Sequence, residues 1–496
     1  MTHWPTIPRR WILRLAGAGL LAGPARADAA VEGGPATAPA VETWKAFFAI
    51  QRIWGYVDRH SIAPGEALNV MLAGGPGEPE RRVRLEISRL GADAPALVWK
   101  SDAVTVTPRP AGKTAAAVGP GWPPSVTATD TRAWRPGCYS LDAVEEATGV
   151  RDVRVAQFIV RNPAPGGRIL LRLGTNTYQA YNDWGGHSLY PTDTPTGKGA
   201  MVSFDRPSPP SFFEYDAYLV GWLEDLAART ALRVDYAANF DVHADPALLD
   251  RYDLVICGSH DEYWSREEFD AFERRIFKAG KATAFFGGNT AYFQARYADV
   301  NRPPDGADLG RQLVCYKSLD DPIRQRRSRI DSMLLPTALF RDAARRPETM
   351  LMGAGYQGWF PADSDQRPGY IVQSTELPIF EGTGLSVGDL AADVVGYEWD
   401  NRDPARDGAR LYDPARSHVS ALAANRVKVL LRAETVDVAG KPGVAEAVYF
   451  VSPAGAKVFD AGSIRWSWGL GKEGYARPSF QRLNENLVHW LLARPG

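Results

Sequence analysis

Residues 254–265, LVICGSHDEYWS, carry an apolar strand pattern directly into a polar segment rich in functional side chains. The strand pattern spans Leu254 to Cys257, and the polar segment spans Gly258 to Trp264. A short, continuously apolar run is typical of a strand that is buried on both faces. Ser265, with Glu268 three residues later, forms a capping-box pattern that predicts the start of a helix. We therefore expect a strand–loop–helix unit of an α/β domain.

The alternation of strands and helices continues on both sides of this unit. Strand patterns occur at 168–173, 232–236, 282–286, 448–450 and 456–459, and helical patterns occur at 218–229 and 484–492. Such alternation predicts a mostly parallel sheet with helices on both faces. We expect this doubly wound α/β domain to occupy residues 163–496.

Residues 45–162 follow a different rhythm. Short strand patterns at 67–72, 83–90, 104–107 and 153–160 are separated by turn signals. This spacing predicts a β-sandwich of the immunoglobulin-like type. The Pro- and Gly-rich segment 163–167 predicts the boundary between the two domains.

The first 27 residues predict an export signal. Arg9-Arg10 precede an apolar run at 11–23 and the cleavage-type sequence Ala25-Arg26-Ala27. The run is too short for a permanent membrane helix. The paired arginines resemble a twin-arginine signal, and an ordinary secretory signal is the alternative. We expect residues 28–44 to form a linker, and the mature chain to be periplasmic or extracellular without a membrane anchor.

The composition argues against several classes of partner. The formal net charge of -1 does not favour nucleic acid or an anionic membrane. Three cysteines without a CxxC motif or a Cys/His cluster predict neither a disulfide scaffold nor a structural zinc site. Cys257 is an alternative nucleophile, because His260 and Glu262 follow it closely. However, it ends a strand, whereas a nucleophile elbow places its cysteine at the apex of a turn. The sequence does not determine whether the chain forms a homo-oligomer.

Three predicted strands end in polar, glycine-bearing segments. Tyr181 follows the strand at 168–173, His260 and Glu262 follow the strand at 254–257, and Asn289 follows the strand at 282–286. Ligands of open α/β sheets bind beyond the carboxyl ends of the strands. Each residue also has a structural explanation: a hydrogen-bonded histidine, a core tyrosine, a helix-start glutamate or a turn asparagine. Their joint placement on strand-end loops favours one site.

These segments resemble the N,N-dimethylformamidase large (beta) subunit family. The resemblance rests on residues 177–186 (TYQAYNDWGG), 258–265 (GSHDEYWS) and 287–289 (GGN), and continues at 315–317 (CYK), 396–400 (GYEWD) and 461–464 (AGSI). It covers most of the chain after about residue 50. It implies a β-sandwich-like segment followed by a domain similar to class I glutamine amidotransferases. The family enzyme also works with a small subunit, which is not evident from this chain.

The resemblance implies one mononuclear iron, Fe3+, held by two tyrosines and one glutamate. Glu262 matches the glutamate, and Tyr181 matches one tyrosine. We expect the second tyrosine to be Tyr139, with Tyr178 and Tyr190 as alternatives. Phenolate and carboxylate are hard oxygen donors that suit a hard, highly charged cation.

The resemblance also implies catalytic groups around the metal, namely His260, Asn289, Glu398 and Lys317. Glu398 would act as a general base or proton shuttle, and His260 and Asn289 would hold the oxyanion or position the substrate. The leading hypothesis is an exported iron-dependent hydrolase of a small non-peptide C–N amide bond. The alternatives are a non-enzymatic ligand-binding protein on the same scaffold and a Cys257-dependent hydrolase.

Overall fold

In the computed structural model of the protein, the described residues are 47–48, 51–190, 199–298, 310–326, 335–343, 346–402 and 427–493. The predicted export signal and linker, residues 1–27 and 28–44, lie outside the described residues. Within the described part of the chain, no helix is long and apolar enough to cross a membrane.

Two sheets enclose one core between Ile53 and Val160. Their elements are β1 (Ile53–Val57), β2 (Ser61–Ile62), β3 (Leu68–Gly74), β4 (Arg81–Arg89), β5 (Ala96–Lys100), β6 (Val104–Val106), α1 (Ala115–Val118), β7 (Val126–Ala128), β8 (Gly137–Glu145) and β9 (Arg151–Val160). One sheet has the order β1-β3-β7, and the other has the order β2-β9-β8-β4-β5 with β6 beside β4. Val70 of the first sheet and Leu85 of the second are buried in the same cluster. Two sheets around one core agree with the predicted sandwich, and the immunoglobulin-like topology stays a prediction.

The described residues after Val160 include a nine-stranded sheet. Its strands, with those of two smaller sheets, are β10 (Gly167–Leu173), β11 (Met201–Ser203), β12 (Val234–Ala238), β13 (Tyr252–Cys257), β14 (Tyr263–Ser265), β15 (Ala282–Phe285), β16 (Phe293–Ala298), β17 (Gln312–Val314), β18 (Gly355–Trp359), β19 (Tyr370–Val372), β20 (Leu390–Ala392), β21 (Glu398–Asn401), β22 (Lys428–Val436), β23 (Pro442–Val451) and β24 (Lys457–Asp460). The large sheet has the order β12-β10-β13-β15-β24-β23-β22-β19-β20, and the smaller sheets are β11-β17-β16-β14 and β18-β21.

The large sheet is mixed rather than mostly parallel. Strands β12, β10, β13, β15 and β24 are parallel, whereas β24, β23, β22, β19 and β20 pair antiparallel. Strands β22, β23 and β24 follow one another through short connections, and a short connection can join only antiparallel neighbours. The parallel half carries the predicted strand–helix alternation.

Helices cover both faces of the parallel half. The helices of this part of the chain, among the described residues, are α2 (Thr175–Tyr181), α3 (Ala217–Thr230), α4 (Asn239–Ala244), α5 (Arg266–Phe277), α6 (Ile323–Arg326), α7 (Phe340–Ala343), α8 (Thr349–Met352), α9 (Trp468–Gly471) and α10 (Pro478–Leu492), with a π-helical turn at Phe212–Asp216 and 3-10 turns at Pro246–Arg251, Pro378–Phe380 and Ile464–Ser467. Leu171 of β10 faces a core that includes α3 and α10, and the adjacent Leu170 faces a core that includes α5. This alternation confirms an α/β domain with helices on both faces.

Candidate metal centre

The site lies where β10, β13 and β15 end. The segments that follow these strands pack backbone against backbone, and glycines make this possible. A Cβ atom added at Gly174 would lie 2.3 Å from the His260 carbonyl oxygen, and one added at Gly287 would lie 2.1 Å from the Ser259 carbonyl oxygen. Since any side chain there would push the segments apart, glycine is required at both positions.

Two tyrosine hydroxyls bind the two oxygens of one glutamate. Tyr181 Oη donates to Glu262 Oε2 at 2.8 Å, and Tyr190 Oη donates to Glu262 Oε1 at 2.5 Å. All three side chains are buried. The backbone of Glu262 is also fixed, because its N–H donates to the Thr177 hydroxyl at 2.8 Å. The result is a compact group of oxygen atoms away from bulk water.

Tyr139, the second ligand expected from the sequence, is not in this group. Its hydroxyl donates to the Arg135 carbonyl oxygen at 2.6 Å. Its ring stacks on Trp134 and Phe158, at centroid distances of 5.7 and 5.3 Å, inside the core of the two-sheet domain. The structure therefore replaces Tyr139 with Tyr190 as the second tyrosine at the glutamate.

Tyr190 reaches the glutamate because the chain turns back on α2 after Tyr181. The Leu189 N–H donates to the Ala180 carbonyl oxygen at 2.9 Å, and the rings of Tyr181 and Tyr190 then lie 4.3 Å apart between centroids. Tyr178, the other alternative, donates to Asp216 at 2.5 Å. The sequence contains both alternatives, Tyr178 and Tyr190, but it does not show that the chain reverses direction after α2.

His260 lies between two carboxylates. Its Nε2 atom is 3.6 Å from Glu262 Oε2 and 3.4 Å from Glu398 Oε2. Burial alone would lower the pKa of His260, but the proximity and negative charges of Glu262 and Glu398 raise it to about 9. In the metal-free protein the ring is therefore an imidazolium at neutral pH.

Asn289 connects this group to β21. Its backbone has φ 53, a left-handed conformation that asparagine adopts more readily than most residues. Its Nδ2 donates to Glu398 Oε2 at 2.9 Å, and its backbone N–H donates to Asp400 Oδ1 at 2.9 Å. Its Oδ1 is buried and has no hydrogen-bond partner among the described residues. This unpaired buried acceptor could accept a hydrogen bond from a bound water or ligand.

Lys317 brings a positive charge to the same place. Its Nζ atom lies 3.1 Å from the ring centroid of Tyr190 and 4.6 Å from that of Phe293. Burial would raise the pKa of Glu262, but the nearby His260 and the charge of Lys317 outweigh it and lower that pKa. Glu262 is therefore ionised. The structure thus brings together Tyr181, His260, Glu262, Asn289, Lys317 and Glu398, which the sequence had placed on separate segments.

The oxygen donors fit a hard trivalent cation. Burial and the charge of Glu262 raise the pKa values of Tyr181 and Tyr190 well above the ordinary phenol value, so both are neutral without a metal. If a cation displaced both protons, two phenolates and one carboxylate would balance the charge of Fe3+. Among the described residues, no group of three or more His, Cys, Asp or Glu side chains could hold a metal. Metal binding at this site would therefore depend on the phenol oxygens.

Two aromatic residues beside His260 had no assigned role from the sequence. The Tyr397 ring lies 5.9 Å from the His260 ring between centroids. The Tyr215 ring lies 6.4 Å from His260. Tyr397 precedes Glu398 within segment 396–400, so the sequence motif could have indicated that Tyr397 lies near the site. Tyr215 lies in the π-helical turn, and no sequence pattern indicated it.

Cys257 does not have the environment of a nucleophile. It is the last residue of β13 and fully buried. Burial raises the pKa of its thiol far above the usual value, and its sulfur accepts a hydrogen bond from Arg172 Nη2 at 3.4 Å. Since the thiolate is the reactive form, the geometry does not favour a Cys257-dependent hydrolase.

The fold and the site define an α/β protein with a buried phenol–carboxylate cluster at the strand ends. The family model described as N,N-dimethylformamidase beta subunit-like, C-terminal, matches residues 84–478. The chain belongs to this family, which implies a dimethylformamidase-like hydrolase. A comparison with curated proteins finds no match.

Proposed function

We propose that the protein is an exported amidase-type hydrolase with one mononuclear ferric ion held by Tyr181, Tyr190 and Glu262. The proposal rests mainly on the two tyrosine hydroxyls that approach opposite oxygens of one buried carboxylate, at 2.8 and 2.5 Å. The family match supports the hydrolase class. A bound ferric ion would supply a Lewis acid toward an amide carbonyl and toward water.

The neighbouring side chains have charges that suit amide hydrolysis. His260, whose Nε2 lies 3.6 Å from Glu262 Oε2, can donate a hydrogen bond to the oxygen of the carbonyl as negative charge develops there. Glu398, 3.4 Å from His260 Nε2, can accept the proton of the attacking water. Asn289 Nδ2 holds the Glu398 carboxylate at 2.9 Å and so limits its rotation.

The burial of the site supports a small substrate. Exposed fractions are 6% for His260, 2% for Glu398 and 1% for Glu262. We propose a small non-peptide amide with a C–N bond that is cleaved to an acid and an amine. The Arg9-Arg10 pair and the apolar run after it support export, since they match the pattern of a twin-arginine signal.

The test combines metal analysis, absorption spectroscopy and an amide panel. Purified protein should contain one iron per chain, show the visible charge-transfer band of ferric phenolate, and release amine from small N-alkyl amides. Glu262→Gln removes the charge of the shared carboxylate with little change in shape. We expect this variant to lose the iron and the activity together.

The other outcomes separate the alternative functions. Iron binding without amine release across the panel would contradict the hydrolase proposal and favour a ligand-binding protein. Iron-free protein whose amidase activity is abolished by thiol alkylation would contradict the metal proposal and favour the Cys257-dependent hydrolase.

A further inference from the structure

A buried arginine lies behind the segment that joins the two proposed tyrosine ligands. Arg206 is fully buried. Its guanidinium donates to five backbone carbonyl oxygens: those of Ser203 at 2.7 Å, Gln179 at 2.8 Å, Asn182 at 2.9 Å, Trp184 at 3.2 Å and His187 at 3.3 Å. Four of these carbonyls belong to residues 179–187, from the last turn of α2 towards Tyr190.

The contacts fix the course of this segment. A guanidinium is planar and has five N–H donors in fixed directions, so it can hold several carbonyls at defined positions at once. The segment begins beside Tyr181 and ends beside Tyr190. The path of this segment therefore determines whether the Tyr181 and Tyr190 hydroxyls can reach Glu262 together.

Packing alone does not explain an arginine at this position. Burial lowers the pKa of Arg206 to about 9 although the charge of the nearby Asp183 opposes this shift, and all of its hydrogen bonds shown here go to uncharged oxygens. A buried charge is costly even when a carboxylate lies nearby, and an apolar side chain of similar volume is often as stabilising or more so. The benefit of Arg206 must lie in the geometry that it imposes.

The geometry points to Arg206 as a positioning residue for metal binding, which holds Tyr181 and Tyr190 at the separation that both need to bind one cation with Glu262. This inference rests on the proposed function, in which the three side chains are the ligands. Arg206 contacts the backbone of the segment and acts on the site through it.

Arg275 provides a matched control. It is also fully buried, and burial also lowers its pKa to about 9. It donates to the carbonyl oxygens of Leu249, Tyr252, Asp253 and Ala282. Tyr252 and Ala282 begin β13 and β15, so Arg275 lies at the opposite end of these strands from the site.

The experiment compares Arg206→Lys with Arg275→Lys in the full chain. Lysine keeps the charge but cannot hold several carbonyls in a plane. We expect both variants to lower the midpoint of thermal unfolding. Arg206→Lys alone should weaken iron affinity about 10- to 100-fold and shift the ferric phenolate band. In the metal-free protein it alone should accelerate amide hydrogen exchange at residues 182–190, by roughly tenfold.

The readouts separate the two proposals. If the wild type binds iron and Arg206→Lys keeps the wild-type affinity and band, or changes them no more than Arg275→Lys does, the positioning role is wrong. If the wild type binds no iron, the proposed function fails together with the metal-binding role of Arg206, and hydrogen exchange then tests whether Arg206 fixes the path that brings Tyr181 and Tyr190 to Glu262. Unchanged protection of residues 182–190 in Arg206→Lys would then overturn it.

Discussion

At the scale of single residues, the charge of His260 is set by a competition between burial and two carboxylates. Burial opposes the imidazolium, whereas Glu262 and Glu398 favour it and raise the pKa to about 9. Because the pKa in the folded protein exceeds that of the unfolded chain, protonation stabilises the fold. This contribution is complete below about pH 6.5, the ordinary histidine value, and is lost as the pH rises through about 9.

We expect the His260 ring of metal-free protein to titrate near pH 9 in nitrogen-detected NMR spectra. Glu398→Gln removes one of the two carboxylates and should move the midpoint towards the ordinary value. A midpoint near 6.5 in the wild type, or one that Glu398→Gln leaves unchanged, would show that the two carboxylates do not control this ring.

At the scale of elements, the site depends on how closely the segments after the strands approach one another. Gly287 follows β15, and its added Cβ would meet the Ser259 backbone carbonyl. This contact cannot be relieved by rotating a side chain. The two segments that carry His260 and Asn289 would have to separate.

Gly287→Ala should therefore lower the free energy of unfolding by about 3 kcal/mol, as measured by urea denaturation. Gly221→Ala is the matched control, because it lies within α3 and its added Cβ would come no closer than 3.5 Å to the Gly91 carbonyl oxygen. That change should raise the stability by about 0.5–1 kcal/mol, since alanine favours a helix. Similar effects of both changes would contradict the close packing at Gly287.

The side chains of strands and amphipathic helices alternate between core and solvent, or between two cores. This periodic pattern made both kinds of element predictable from the sequence. Helix α5 begins after Ser265 with the predicted capping box, in which Ser265 accepts from the Glu268 N–H at 3.2 Å. Helix α2 was not predicted, because its residues 175–181 are all buried. A helix without an exposed face lacks the periodic pattern by which sequence reasoning recognises helices.

At the scale of the whole molecule, the two-sheet domain and the α/β domain are joined by partly buried polar contacts. Arg89 of β4 pairs with Glu224 of α3 at 2.6 Å, and the same carboxylate accepts from Tyr236 Oη at 2.5 Å. Ser61 Oγ donates to Asp241 of α4 at 2.6 Å. Because these groups would be left unpaired if the domains separated, we expect the two parts to unfold together.

Calorimetry should show one unfolding transition. Glu224→Gln leaves Arg89 without its charged partner and should destabilise that single transition by about 2 kcal/mol. Asp225→Asn changes the next residue, whose pair with Arg229 is about half exposed, and should cost less than about 0.5 kcal/mol. Two separate transitions in the wild type, or equal effects of the two changes, would contradict a strong connection between the domains.

The candidate site was predictable in its composition but not in its full set of contacts. Strand-end placement identified Tyr181, His260, Glu262 and Asn289, because the carboxyl ends of neighbouring parallel strands meet at one edge. The choice between Tyr139 and Tyr190 depended on a chain reversal after α2 that leaves no periodic signal. The role of Arg206 depended on backbone carbonyls, which a sequence does not place in space.

The most direct test of the metal centre compares the visible spectra of Tyr190→Phe and Tyr139→Phe after loading with ferric iron. Each variant removes one buried hydroxyl and keeps the ring. We predict that Tyr190→Phe weakens or abolishes the phenolate charge-transfer band and lowers bound iron. Tyr139→Phe, which loses only the bond to the Arg135 carbonyl, should keep the wild-type band and one iron per chain. A wild-type band in Tyr190→Phe, with its loss in Tyr139→Phe, would contradict the account.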